Sequence, residues 1–137
     1  MKRDWDLIRK QLTDIEEEND LFVNVPVKPV YKDQDWDSYE MQLNEFLTIK
    51  GKVFGHLELL INAGYVDGLT VDRSIDGVFS YGLHSPRLTM AGHDLFDTMR
   101  SDTVWEKIKA TAKSKGIELT FDAIKVLAVT AYAAMLG

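Results

Sequence analysis

The sequence predicts an α+β fold that is mainly helical, a winged helix-turn-helix with a small β-hairpin wing and a C-terminal helical extension. The first observation is that helical spacings of apolar residues alternate with strand-like segments along the first 90 residues. The second is a short break at Thr48–Gly51 between two helical patterns, and the third is the Asp76-Gly77 hairpin signal. Helix, strand, helix, turn, helix and hairpin form the element order of a winged helix.

The chain is expected to begin with a helix and an edge strand. Apolar residues recur at spacings of three and four between Asp4 and Glu18, which places them on one face of a helix. They are Trp5, Ile8, Leu12 and Ile15. The segment Leu21–Val30 is rich in β-branched residues, but Pro26 and Pro29 cannot donate a hydrogen bond to a sheet. It therefore predicts an edge strand.

The centre of the winged helix is expected over residues 38–90. A first helix is predicted over 38–47, and the second helix, over 52–63, would be the recognition helix. Gly64 should end it, because glycine favours the position after a helix. The two strand-like segments that follow, 65–73 and 78–90, would form the wing.

Residues 91–137 are predicted to form a helical extension of the winged-helix unit of residues 1–90, within the same compact unit. Its last helix, 121–136, is apolar on nearly every side, and such a helix must be buried on every side. A homodimer would bury it, whereas the alternative is a core helix of the monomer. The dimer candidates are Phe121, Ile124, Leu127, Tyr132 and Met135.

Three stretches of the chain resemble a known family. They are MKRDWDLIRKQLTDIEE, HLELLINAGYVDG and PRLTMAGHDLFDTMRSDTVWEKIK, and they lie in matching order. The family consists of small bacterial and phage proteins and is known only as a domain of unknown function. The resemblance implies a winged-helix-like fold that is often encoded on prophages. It implies no catalytic residues.

The net charge of −6 is unevenly distributed along the chain. Residues 14–45 hold ten acids and two bases, so the remainder of the chain carries a small net positive charge. Overall acidity argues against non-specific nucleic-acid binding, but a DNA-facing surface could lie outside the acidic segment. The candidates for DNA contact are Lys50, Lys52, His56, Asn62, Arg73 and Arg87.

Two functions from different classes therefore stay open. The first is a dimeric DNA-binding transcriptional regulator of modest affinity. The second is an acidic protein-interaction module that binds or inhibits a host protein, with the acidic segment imitating DNA. Trp36, which lies within the acidic segment, is either a core residue or an anchor for such a partner.

Catalysis, cofactors and membranes are not expected. With no cysteine, the chain has no disulfide, thiolate metal site or cysteine nucleophile. His56, His84 and His93 lack the spacing of a metal site, and no phosphate loop or nucleophile elbow is present. The chain shows no secretory signal, and the uncharged segment 126–137 is shorter than the ~20 residues that span a bilayer. A cytoplasmic location is therefore expected.

Overall fold

The computed structural model describes residues 1–75 and 78–136, and over these residues the fold is mainly helical with one β-hairpin. In chain order the elements are α1 (Trp5–Glu16), α2 (Trp36–Asn62), β1 (Val66–Arg73), β2 (Phe79–Leu88), α3 (Met90–Met99), α4 (Asp102–Lys115) and α5 (Phe121–Leu136). The mainly helical α+β class is confirmed. No helix in the described part of the chain is both long and apolar enough to cross a membrane.

Helix α1 forms as its sequence predicts and lies at the centre of the core. Asp4 caps it by accepting a hydrogen bond from the Leu7 N–H at 3.1 Å. Ile8 and Leu12 are completely buried, so the apolar face of α1 lies in the core. Arg9, at the edge of this face, donates to the Met99 carbonyl at 2.7 Å and thereby joins α1 to the end of α3.

The predicted helix-turn-helix turn is wrong, because α2 runs without interruption from Trp36 to Asn62. Thr48 lies within it, and its hydroxyl donates to the Asn44 carbonyl one turn earlier. A glycine inside a helix costs only about 1 kcal/mol relative to alanine. Phe46 and Phe54 are buried on either side of Gly51, so packing holds both halves of the helix in register.

The predicted edge strand over Leu21–Val30 is also wrong. This segment forms turns and extended loop, and Val23, Val27 and Val30 are exposed. Its β-branched composition indicated a strand, but a strand needs a partner for its backbone groups. The sheet over the described residues contains β1 and β2 alone.

The predicted hairpin is present, with β1 and β2 paired antiparallel from Val66↔Leu88 to Arg73↔Phe79. The register shifts near Gly68, where a side chain would bring its Cβ to 2.3 Å from the Ser85 carbonyl oxygen. Only glycine fits this close approach. The expected turn at Asp76-Gly77 lies outside the described residues.

Helix α5 has one buried and one exposed face, which changes the set of dimer candidates. Ile124 and Leu127 are buried within the monomer, and Phe121 packs on Trp5 with ring centroids 4.9 Å apart. These three therefore serve the monomer core. Tyr132 and Met135 remain exposed, and further exposed apolar residues of α5 are Val126, Val129 and Leu136.

Homodimer formation stays a prediction, now resting on the outer face of α5. Replacing both Val126 and Val129 with glutamate should abolish self-association, because the new charges would be buried without partners. Sedimentation equilibrium over a concentration series measures the effect. Thermal unfolding should hardly change, since Val126 and Val129 are 66% and 71% exposed. A wild-type chain that stays monomeric at high micromolar concentration contradicts the prediction.

Candidate interaction surface

The middle of α2 is tied to the start of α1 by residues expected to contact DNA. His56 is fully buried, and its Nε2 accepts a hydrogen bond from the Asp4 N–H at 2.8 Å. Its Nδ1 lies 2.7 Å from the Lys52 carbonyl oxygen. Because the amide must donate and the carbonyl must accept, this pattern requires a proton on Nδ1. His56 is thus a structural residue, and its assignment as an exposed DNA contact is corrected.

The charged candidates are largely neutralised by neighbouring acids. Lys52 Nζ lies 2.8 Å from Asp4 Oδ2, and this hydrogen bond holds the pKa of Asp4 below its ordinary value. Arg73 forms a fork with Glu58, with Nη2 2.8 Å and Nε 3.0 Å from the same carboxylate oxygen. Each of these bases would have to exchange a carboxylate for a phosphate to bind DNA.

The remaining candidates do not share one surface. Arg87 pairs with Asp67 at 2.7 Å at the base of the hairpin, whereas Arg73 lies near its tip. Arg87 pairs across the hairpin with Asp67 of β1, and Asp67 and Arg73 are six residue steps apart, or about 20 Å along the strand. Asn62 is exposed at the end of α2, and Lys50 lies over the rings of Phe46 and Phe54.

One group of bases does come together. A groove of about 530 Å³ between the start of the chain, α2 and the hairpin is lined by Lys2, Lys52 and Arg73. Lys2 is exposed, and the other two carry the acidic partners described above. The groove is therefore weakly basic.

The acidic segment, residues 14–45, has the opposite property, because most of its charge is uncompensated. Two of its acids have a basic side chain beside them: Asp14 Oδ2 lies 2.6 Å from Lys10 Nζ, and Glu16 Oε2 lies 3.5 Å from His93 Nδ1. Over the described residues, no ion pair neutralises the other acids of the segment. All of these are exposed: Glu17, Glu18, Asp20, Asp33, Asp35, Asp37, Glu40 and Glu45.

Three aromatic rings lie in the middle of this charge. Tyr31, Trp36 and Tyr39 contact one another, with ring centroids 5.3 to 5.8 Å apart. Trp36 is 60% exposed and Tyr31 53% exposed, so much of their ring surface faces solvent. We call the rings and the adjoining acids the acidic aromatic surface. Its members are Tyr31, Asp33, Asp35, Trp36, Asp37, Tyr39 and Glu40.

The beginning of α2 fixes this surface. Asp35 caps the helix by accepting a hydrogen bond from the Ser38 N–H at 3.0 Å. Hydrogen bonds from the Ser38 side chain and backbone hold the pKa of Asp35 below its ordinary value. Trp36 and Tyr39 lie three residues apart on the helix, a spacing that places them on one face. The cap therefore fixes the helical turn that carries Trp36 and Tyr39.

The sequence points to Trp36 as a candidate anchor but does not reveal Tyr31 and Tyr39 as its ring partners. The spacing of three between Trp36 and Tyr39 is a usable signal only if both residues lie on one helix. The predicted helix begins at residue 38, which leaves Trp36 outside it.

Comparison with known proteins places the chain in a family. A family model described as "Hypothetical protein (DUF2513)" matches residues 2–118. The chain belongs to the DUF2513 family. A relative from Haemophilus influenzae, named "Uncharacterized protein", is 34% identical over 138 residues, with both chains covered completely. The resemblance to a family of unknown function is thus confirmed, and α5 lies beyond the part that the DUF2513 model matches.

No solved structure matches the chain. The winged-helix assignment therefore has no structural neighbour to support it. Over the described residues, no group of three or more histidines and acids is placed to hold a metal ion. His84 is exposed on β2, and the His93 side chain is paired with Glu16 as described above.

Acid should weaken the junction between α1 and α2. Lys52 makes the pKa of Asp4 lower in the folded chain than in the unfolded chain. The ionised Asp4 therefore stabilises the fold at pH values above its unfolded pKa, and this stabilisation is lost as the pH falls through the folded pKa. The free energy of unfolding should therefore fall more steeply below about pH 5 in the wild type than in Asp4→Asn. Asparagine keeps the capping oxygen but loses the charge. Urea unfolding at several pH values measures this, and identical profiles would contradict the linkage.

Proposed function

We propose that this DUF2513 protein is a non-catalytic interaction module that binds a basic protein partner through the acidic aromatic surface. The observation that carries the proposal is the contrast in pairing. Lys52, Arg73 and Arg87 are each paired with an acid, whereas the acids of the acidic aromatic surface have no such ion pairs among the described residues. Asp35 accepts the capping hydrogen bond of α2, but the carboxylates of Asp33, Asp37 and Glu40 can meet a partner without breaking an ion pair within the described residues.

The proposed partner has a basic surface with exposed side chains long enough to reach the rings. Complementary charge would speed the encounter, and the rings would add contact area at the centre of the interface. A nucleic-acid-binding protein is such a partner, in which case the acidic aromatic surface would occupy the site of DNA. The expected prophage origin suggests a partner from the bacterial host. On this proposal the protein is cytoplasmic and needs no cofactor.

A pull-down from host lysate tests the proposal. The triple variant Asp33→Asn, Asp35→Asn, Asp37→Asn should lose a basic partner that the wild type retains. Asparagine preserves the helix cap at position 35 and tolerates the positive φ of 53° at Asp33. The loss should be at least about tenfold, because three charges are removed from one interface.

A matched control separates the surface from overall charge. Glu17→Gln, Glu18→Gln, Asp20→Asn removes the same charge outside the acidic aromatic surface and should leave the retention unchanged. Equal losses from both variants would show that retention of the partner depends on net charge and not on the acidic aromatic surface. If no retained protein depends on Asp33, Asp35 and Asp37, the proposal is wrong.

A regulator that binds DNA is the second candidate, and one observation favours it. Lys2, Lys52 and Arg73 line a single groove beside the β1–β2 hairpin. Electrostatic attraction would have to outweigh the pairs with Asp4 and Glu58, so the affinity would be modest and strongly salt-dependent.

A gel-shift series over genomic fragments at low and moderate salt tests this candidate. Lys2→Gln, Lys52→Gln, Arg73→Gln should remove any shift that the wild type produces at low salt, because each substitution deletes a phosphate contact. Arg87→Gln, which removes a base at the other end of the hairpin and outside this groove, serves as the control. The candidate fails if no fragment shows salt-sensitive binding.

A further inference from the structure

The rings of the acidic aromatic surface stand in a specific arrangement. Trp36 and Tyr39 are tilted by 49°, and Tyr31 meets Tyr39 edge-on at 78°. With centroids less than 6 Å apart, the rings fill the space between them. A ligand group therefore cannot insert among the rings. It can lie flat on the outer face of Trp36, whose side chain is 60% exposed.

The charges around Trp36 determine what would lie there. Asp35 and Asp37 are its immediate neighbours in the chain, and Asp33 lies two residues before Asp35; all three are exposed. A ring face attracts a cation, and indole does so more strongly than other side-chain rings. An anion would meet repulsion from the carboxylates. An apolar side chain would gain contact area on the ring but leave the carboxylates without a partner.

We propose that the outer face of Trp36 accepts an arginine side chain of the partner, with the guanidinium stacked on the indole and hydrogen-bonded to the neighbouring carboxylates. This inference rests on the proposed function and specifies the chemistry of the same surface. Arginine fits better than lysine because its guanidinium is planar, stacks on rings and donates in a fork that matches a carboxylate. A lysine ammonium is compact and strongly hydrated, so it gains less from a flat ring.

The structure holds the site in place before a ligand arrives. The Asp35 cap fixes the first turn of α2, and contacts with Tyr31 and Tyr39 restrict the Trp36 ring. A side chain that is already ordered loses little conformational entropy on binding. The site therefore discriminates between cations by shape as well as by charge.

Fluorescence anisotropy with two labelled nonapeptides, one of arginine and one of lysine, tests the inference on the full chain. We expect the wild type to bind the arginine peptide more tightly, and Trp36→Leu to weaken arginine binding about two- to fivefold while lysine binding changes little. Trp36→Phe keeps a ring and should fall between the two. Because Trp36 is exposed, the variants should fold, which circular dichroism checks.

The charge variants separate this inference from the proposed function. Asp33→Asn, Asp35→Asn, Asp37→Asn should weaken both peptides, and Glu17→Gln, Glu18→Gln, Asp20→Asn should have a smaller effect. If the triple variant at the surface weakens both peptides but Trp36→Leu leaves the arginine preference unchanged, the arginine site is refuted and the proposed function stands. If the wild type binds neither peptide, both are refuted.

Discussion

The fold depends on hydrogen bonds that join α1 to segments from both halves of the chain. The Asp4 N–H reaches His56 on α2, and Trp105 Nε1 on α4 donates to Asp6 at 2.9 Å. Trp5 Nε1 donates to the Leu119 carbonyl at 3.1 Å, just before α5. Each bond satisfies a polar group next to the core, where an unpaired donor would cost about 1–3 kcal/mol. Without α1, α2 and the C-terminal helices would lose their shared partner.

Ion pairs at the start of the chain also explain why the net charge is a poor guide to the charge that the surface of this protein exposes. Bases near the start of the chain and on the hairpin stabilise the fold by pairing with acids, as Lys52 does with Asp4. The acidic segment has few such partners among the described residues and keeps its charge at the surface. What matters for recognition is thus the charge left over after folding, and here that remainder is negative.

The sequence predicted the elements whose pattern is local and missed those decided by packing. Apolar spacing located α1 and α5 well, and the hairpin signal located β1 and β2. Gly51 indicated a turn because it is a weak helix former, yet the burial of Phe46 and Phe54 around it continues the helix. The sequence makes His56 a candidate for DNA contact because nothing local shows that the residues just before α1 pack against this part of α2 and bury its side chain.

The acidic aromatic surface illustrates the same limit at the level of the site. Trp36 stands out in the sequence as an aromatic residue among acids, and its exposure shows that it is not a core residue, while its role as an anchor stays a prediction. Tyr31 reaches it from the preceding loop, which no periodicity could show.

The continuous helix over residues 36–62 also has a mechanical consequence. Its buried residues begin at Phe46, so the first ten residues, about 15 Å of helix, extend from the core with no buried side chain. A helical segment that short is marginal alone. Its local opening should cost less than global unfolding, so the Asp35 cap and the contacts of Trp36 with Tyr31 and Tyr39 are what keep this segment ordered before a partner binds. Mutations that change only local helix stability could therefore tune the affinity for a partner.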